Sequence, residues 1–526
     1  MHRFGRMFGV LGMVACLAHP PVQAAGMDPI FLDALPQGTD SALSLKSYFL
    51  PRADDVGKPI SIFVVAILPH AGAPAYAKTP AGWLAIDLAR PGTLPTLANH
   101  VAAGLSHTIE LLPATDIRTL YGTSIFVGYG VNGASDDAAL LDMLQHTKYR
   151  LIHTLKPSVS MSGPPNLAAC PADIATPLFS TIPVDLDHFI AFRPLGFMST
   201  PIHMFPAKHS AFSMTAVGQA AVPRPVKAPS TATVTEIYEA SFSTGGKNYQ
   251  VFMYPCRELR IYFGHLVTVS EKLRTAFAQG TPQCNSFNDG SATVTTCRRE
   301  NLSVALEEGE TFGTGPDSAG VDFGTLDFRR DPAGFIYRAH YDAFYPFYTS
   351  PLDYFAPGVK QAFQTKFGSV FGANMRTIEP VGGSYMQDLA GTAQGNWFLP
   401  DKYHSNTTDL SGFLGLAHDY VDPSQTIMAA GPTIKGMRLG LYSYKVETSG
   451  LINRDFSEVK VDGNIYCLDG FIEGRSAGEM PVSKPNGVLL LSLLNEVTLK
   501  AELIEASSCS LLGNWQYSDN ATIFVR

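Results

Sequence analysis

The chain has 526 residues, too many for one hydrophobic core, and at roughly 150 residues per domain it divides into about three or four units. It is 45% hydrophobic and only 16% charged, with 47 Gly, 37 Pro and 11% aromatic residues, a balance that supplies core material and turns but few helix-favouring charges, so a mainly β, multi-domain protein is expected. The formal charge of -8 comes without any Lys/Arg run of the kind that neutralises phosphates, which excludes a nucleic-acid partner.

Arg3 and Arg6 precede an apolar run from Met7 to Ala18, and Pro20, Pro21 and Val22-Gln23-Ala24 follow as a small-residue exit. Residues 1–25 therefore read as an export signal, and the mature chain as secreted or periplasmic. Met13-Val14-Ala15-Cys16 also has the form of a lipobox, in which Cys16 becomes a lipidated N-terminus and supplies the only membrane contact. No later stretch reaches the ~18 apolar residues that cross a bilayer; the longest, Val488 to Leu494, has strand length.

Residues 26–160 read as an N-terminal β-sandwich-like domain. Pro59 to Ala66 and Ser124 to Gly130 are strand-like runs bounded by Gly and Pro, and Tyr149 to Leu155 is a further strand. Asp136 to Leu144 breaks the pattern: Ala138, Leu141 and Leu144 recur at helical spacing and predict a helix. Residues 161–183, with Ser162-Gly163-Pro164-Pro165, have linker composition. A central β domain is expected over 184–375. The third domain, 376–526, has strand runs at Leu439 to Val446, Asn464 to Leu468, Gly487 to Leu494, Val497 to Leu503 and Ala521 to Val525, which suggest a small meander or barrel. Within it Gly391-Thr392-Ala393-Gln394-Gly395 feeds the aromatic strand at Trp397; it lacks the strand-then-helix context of a phosphate loop and is structural.

Seven cysteines less Cys16 leave six, an even set in an exported chain. The spacing contains no Cys-x-x-Cys of a thiolate zinc site, so disulfides are expected. Connectivity is open from sequence; the favoured set is Cys284 with Cys297, Cys467 with Cys509 and Cys170 with Cys256.

The central unit carries, in order, Thr200-Pro201-Ile202-His203, Lys208-His209, Ser213, Ala228-Pro229-Ser230 before Thr233-Val234, Tyr262-Phe263-Gly264-His265-Leu266, Gly309-Glu310 before Phe312-Gly313, and Gly320-Val321-Asp322-Phe323. In that order, from Phe192 to Asp327, they resemble the lysostaphin-like peptidases of family M23, with the duplicated hybrid motif fold. The resemblance implies a zinc ion held by a His, an Asp four residues later and the second His of a His-x-His pair on the closing strand. Three such ligands plus one open position let zinc lower the pKa of bound water and polarise a carbonyl. His209 matches the first ligand and His265 the edge histidine near the metal. Ser213 stands at the Asp position, and Asp322 and Asp327 stand where His-x-His is expected. The frame thus resembles a peptidase with a degraded metal site, a pseudoenzyme with no cofactor expected.

Two functions follow. The leading one is a non-hydrolytic binding or surface-interaction protein for a cell-wall polymer or an extracellular peptide. The alternative is a zinc peptidase with rearranged ligands, His203, His209 and Asp322 on the metal and His265 as proton shuttle; the even separation of His203 and His209 places them on one face of an extended segment, although Pro206 interrupts it. His265, set among aromatics, also reads as a satisfied core histidine. Tyr341, Tyr345, Phe347, Tyr348, Tyr354 and Phe355 are chiefly packing residues, with Tyr345, Tyr348 and Trp397 the binding candidates. His404, Ser405-Asn406-Thr407 and His418-Asp419 supply hydrolase residue types but no Gly-x-Ser-x-Gly elbow.

Overall fold

The computed structural model describes residues 30–526 apart from 32–33, 71, 91–93, 103–106, 133–134, 157–160, 215–221, 289–292, 316–319, 338–339, 401 and 403–411. The export signal with Cys16, and His404 to Thr407, lie outside the described residues. The protein is mainly β, with 41% strand against 11% helix. Among the described residues no helix is long and apolar enough to cross a membrane.

In the N-terminal unit two antiparallel sheets face each other. Ala42–Leu50 pairs with Ile30–Phe31, Leu35–Thr39 and His107–Thr115; Pro59–Ile67 sits inside the second sheet between Ser124–Val131 and Ala75–Thr79. The period of two decides the core: Ile60, Ile62 and Val64 turn toward Leu45, Phe49 and Ile109 of the opposite sheet. The helix Asp136–Gln145 forms as expected, with Ser135 capping it through its side chain onto Ala138 N. Its buried residues, however, are Ala139, Leu140 and Met143, whereas Leu141 is 56% exposed. The helix is apolar on too many faces for spacing to select one; Gly128 and Gly130 beneath it do.

The central unit has one long sheet, in the order Ala191–Arg193, Ser210–Ser213, Gly320–Asp327, Leu259–Leu266, Lys247–Cys256, Ala232–Phe242, Thr293–Arg299 and Gln283–Asn288, and a three-stranded sheet of Pro225–Lys227, Thr311–Thr314 and Thr268–Val269. Phe212, Phe263, Phe323 and Val321 fill the layer between them with Val226 and Phe312. Residues 161–183, of linker composition, are fastened to this unit: Cys170 is bonded to Cys256, Gly163 N donates to Arg257 O at 2.6 Å and Phe179 is buried in the core.

The C-terminal unit is an eight-stranded antiparallel sheet, ordered Gly440–Tyr442, Thr426–Ala430, Phe413–His418, Gly395–Phe398, Thr522–Val525, Thr498–Ile504, Val488–Asn495 and Tyr466–Leu468, curled into a half-barrel. Cys467–Cys509 closes one end, and Cys284–Cys297 links the outer hairpin of the central sheet. The three bridges are the favoured set and are the chemistry of an oxidising compartment.

Candidate functional site

The site lies on the outer face of the long central sheet, where alternation puts Ala211, Gly264 and Asp322 side by side on neighbouring strands. Small residues are required around the carboxylate. A Cβ on Gly264 would stand 3.1 Å from Asp322 Oδ2, one on Gly320 2.7 Å from Phe212 O, and one on Gly324 only 1.9 Å from the Tyr262 ring. The glycines thus let Asp322 extend across the sheet and let the Tyr262 ring lie flat over it.

Three histidines converge there by different routes. His209 ends the loop before Ser210–Ser213, with Nδ1 3.4 Å from Asp322 Oδ1 and 3.2 Å from Ser210 O. Both neighbours are acceptors, so Nδ1 carries the proton. His203 reaches the site through a tight turn, in which its N–H donates to Ser199 O at 2.7 Å; its ring centroid is 5.2 Å from that of His209 and 5.1 Å from that of Phe197. The two histidines share a site through loop closure, not through an extended strand. His265 arrives on a bulge: Tyr249 pairs with Leu266 but Val251 with Phe263, and His265 takes φ +59°. That backbone re-aims its side chain so that Nε2 lies 3.2 Å from Asp322 Oδ2, while Asn248 Nδ2 donates to Nδ1 at 3.0 Å. The ring is 50% exposed, not the core histidine its aromatic neighbours suggested, because the bulge turns it out of the layer.

Burial and the adjacent His209 push His203 down to about 3. Burial also lowers His209, against the pull of Asp322, so both are neutral at pH 7. Burial works against an ionised Asp322, but His209, His265 and Arg193 outweigh it and hold the carboxyl below its ordinary range. Its hydrogen bond in turn raises His265. Arg193, whose guanidinium sits 4.3 Å over the Phe197 ring, is the second buried charge beside the carboxylate.

A cavity of about 350 Å³ opens beside this cluster, walled by the loop from Ile202 to His209 and by Gln250, Tyr262, Asp322, Tyr345 and Phe413. Lys208 stands 4.8 Å over the Tyr345 ring and 4.7 Å over that of Tyr348, geometry in which ring faces attract a cation.

His203, His209, His265 and Asp322 are therefore brought together, with Tyr345 on the cavity wall and Tyr348 beside it. Trp397 is not. It is fully buried in the C-terminal core, with Nε1 donating to Ala393 O at 2.7 Å and Arg526 over its ring, because Gly395–Phe398 is an inner strand covered on both faces; it offers no binding face. Asp327, an odd number of residues from Asp322, turns away to Arg329 and Tyr354. Ser213, at the position of the family's Asp, is buried and its hydroxyl has no hydrogen-bond partner among the described residues. His418 binds Asp455 at 2.9 Å, not its neighbour Asp419.

A zinc ion does not fit the residues as they stand. Among the described residues no three His, Cys, Asp or Glu side chains are placed to hold a metal together. The reason is visible at Asp322: one oxygen faces the proton of His209 and the other faces His265, so no lone pairs converge on a common point. Arg193, Lys208 and Asn248 went unnoticed in the sequence; the Asn248 contact is created by strand register, and only the adjacency of Lys208 to His209 hinted at its role. The chain matches no family model and no curated protein.

Proposed function

We propose that this chain is an exported, non-hydrolytic binding protein on an M23-like peptidase frame, whose cavity receives a segment of a cell-wall polymer or an extracellular peptide. The observation that carries the reading is the double use of Asp322 by His209 and His265 at the edge of the aromatic-walled cavity. Amide hydrolysis on such a frame needs an activated water and a polarised carbonyl. Here the imidazole protons are spent on a carboxylate, and what remains is a recognition surface: neutral imidazole edges, tyrosine rings and one ring-capped ammonium. Such a mixture of apolar wall and a few placed polar groups is typical of ligand pockets. The three disulfides support export.

The test combines pelleting of the purified chain with cell-wall sacculi, a titration with soluble wall peptides, metal analysis and a search for released fragments. Saturable binding to sacculi or peptide, weakened by Lys208→Ala and His265→Ala, with sub-stoichiometric metal and no fragments, is expected. Stoichiometric zinc that disappears in His209→Ala, accompanied by cleavage, would establish the peptidase alternative instead; absence of both binding and cleavage would sink both.

A further inference from the structure

Buried polar side chains are hydrogen-bonded as a rule, so those left without a partner point to something they are meant to meet. Around the Asp322 cavity such side chains gather. The His209 ring is only 7% exposed, and its Nδ1 faces Asp322 and Ser210 O, which leaves Nε2 as an acceptor with no partner among the described residues. Neither ring nitrogen of His203 is hydrogen-bonded among the described residues, and the same holds for the Gln250 side-chain amide. All three side chains line the cavity. Its surface therefore both donates and accepts hydrogen bonds, the pairing that an amide group returns.

Charge is out of balance at the same place. Apart from the histidines, the charged side chains on the cavity wall are Lys208 and Asp322. Both oxygens of Asp322 are engaged, by His209 and His265, and Arg193 stands in the same cross-strand row with only Ala211 between them. Two permanent cations thus flank one carboxylate that is already in use. Lys208 is half-buried and has no carboxylate within salt-bridge distance among the described residues. The Tyr345 and Tyr348 rings attract its ammonium but carry no counter-charge. A charge withdrawn from water is stable when it is paired, so the missing partner is an anion from outside the chain. Sulfate or a fatty-acid carboxylate would meet Lys208 yet bring no donor to His209 Nε2. A peptide carboxylate brings an N–H with it.

We infer that the Asp322 cavity recognises a peptide by a free carboxylate, which pairs with Lys208, and by a neighbouring amide N–H, which donates to His209 Nε2. The inference rests on the binding role proposed above and narrows its ligand to a peptide with a carboxylate; a chain terminus and an acidic side chain share this chemistry.

Calorimetric titration of the full chain with four small probes tests it: N-acetyl-dialanine, its C-terminal amide, N-acetyl-alanyl-glutamic diamide, and N-acetyl-alanyl-lactate, in which an ester oxygen replaces the terminal N–H. Saturable binding of dialanine marks a chain terminus as the source of the carboxylate, and binding of the glutamyl peptide alone marks a side chain. The dialanine amide should bind at least about tenfold more weakly than the acid, the worth of a hydrogen bond to a charged group, and the lactate ester about three- to tenfold more weakly. Lys208→Gln should reduce the acids to the level of the amide and leave the amide unchanged, whereas Lys208→Arg should keep the preference. The probe series reads the preference in the parent chain, so the test stands even if circular dichroism shows a variant unfolded. No saturable heat with either carboxylate peptide, equal affinity for acid and amide, or tighter binding of glucuronate than of both peptides would overturn the inference. Pelleting with sacculi on the same preparation separates the two claims. Sacculi captured while the carboxylate peptides are ignored overturns the inference and leaves the binding role; loss of both removes the role as well.

Discussion

His203, His209 and His265 surround one carboxylate and titrate in opposite directions. His203, held near 3, and His209 refuse protons that the unfolded chain accepts below its ordinary value of ~6.5, so their contribution is intact above that pH and is lost as pH falls. His265 is raised, so its contribution is complete below ~6.5 and is lost as pH rises through its folded value. Asp322, lowered, contributes fully above the ordinary carboxylate value of ~3.9 and loses that contribution as pH falls from there toward its folded value. His203→Gln should therefore flatten the acid side of the stability profile, where each pH unit below ~6.5 costs the native protein up to about 1.4 kcal/mol through this one ring. Urea midpoints at pH 7 and pH 5 measure it, and equal losses in variant and parent would refute the assignment. The grouping of His209, His265 and Asp322 was legible in the order of short motifs along the chain. The exposure of His265 was not, since a positive φ at a bulge depends on pairing with Tyr249 and Val251, and neither residue is near it in sequence.

Among the secondary-structure elements, the helix Asp136–Gln145 shows how an element can be legible in the sequence while its buried face is not. Its existence follows from the Ser135 cap and the apolar spacing, but Ala138, Ala139, Leu140, Leu141, Met143 and Leu144 encircle it, so spacing alone leaves its orientation undetermined. The glycines of the opposing strand decide, because only where Gly130 presents no side chain can the backbone at Ala139 approach. Gly130→Ala places a methyl against a carbonyl, not against a movable side chain, so the helix must lift. Overpacking of this kind costs about 1–3 kcal/mol. A urea denaturation curve should show that loss together with faster amide exchange in residues 136–145; a variant as stable as the parent would mean that the helix is not seated on this strand.

Over the whole molecule, composition and turn chemistry marked out three β units, yet one buried cluster crosses residue 376: Leu195, Met204 and Phe205 pack with Tyr345, Phe398, Phe413 and Ile427. Contacts between residues some two hundred positions apart leave no local pattern, which is why the sequence reads as separate domains. Phe205 lies at the centre, stacked on Phe413 with centroids 4.8 Å apart and edge-on to Phe398 at 5.0 Å. Met204 O comes so close to Gly415 that a Cβ there would be 2.3 Å away. The loop that carries His203 and His209 is thus clamped by the C-terminal half-barrel, and the shape of the Asp322 cavity depends on both units. Phe205→Ala removes a core ring, a change that costs about 3–5 kcal/mol. Because that ring belongs to both units, hydrogen exchange should rise together in Gly320–Asp327 and Gly395–Phe398, and ligand capture at the Asp322 cavity should weaken, since Phe205 both lines that cavity and holds its loop against the half-barrel. Calorimetry that resolves a central and a C-terminal transition, with only the latter shifted in the variant, would show that the two units fold independently and that the cavity owes nothing to their union.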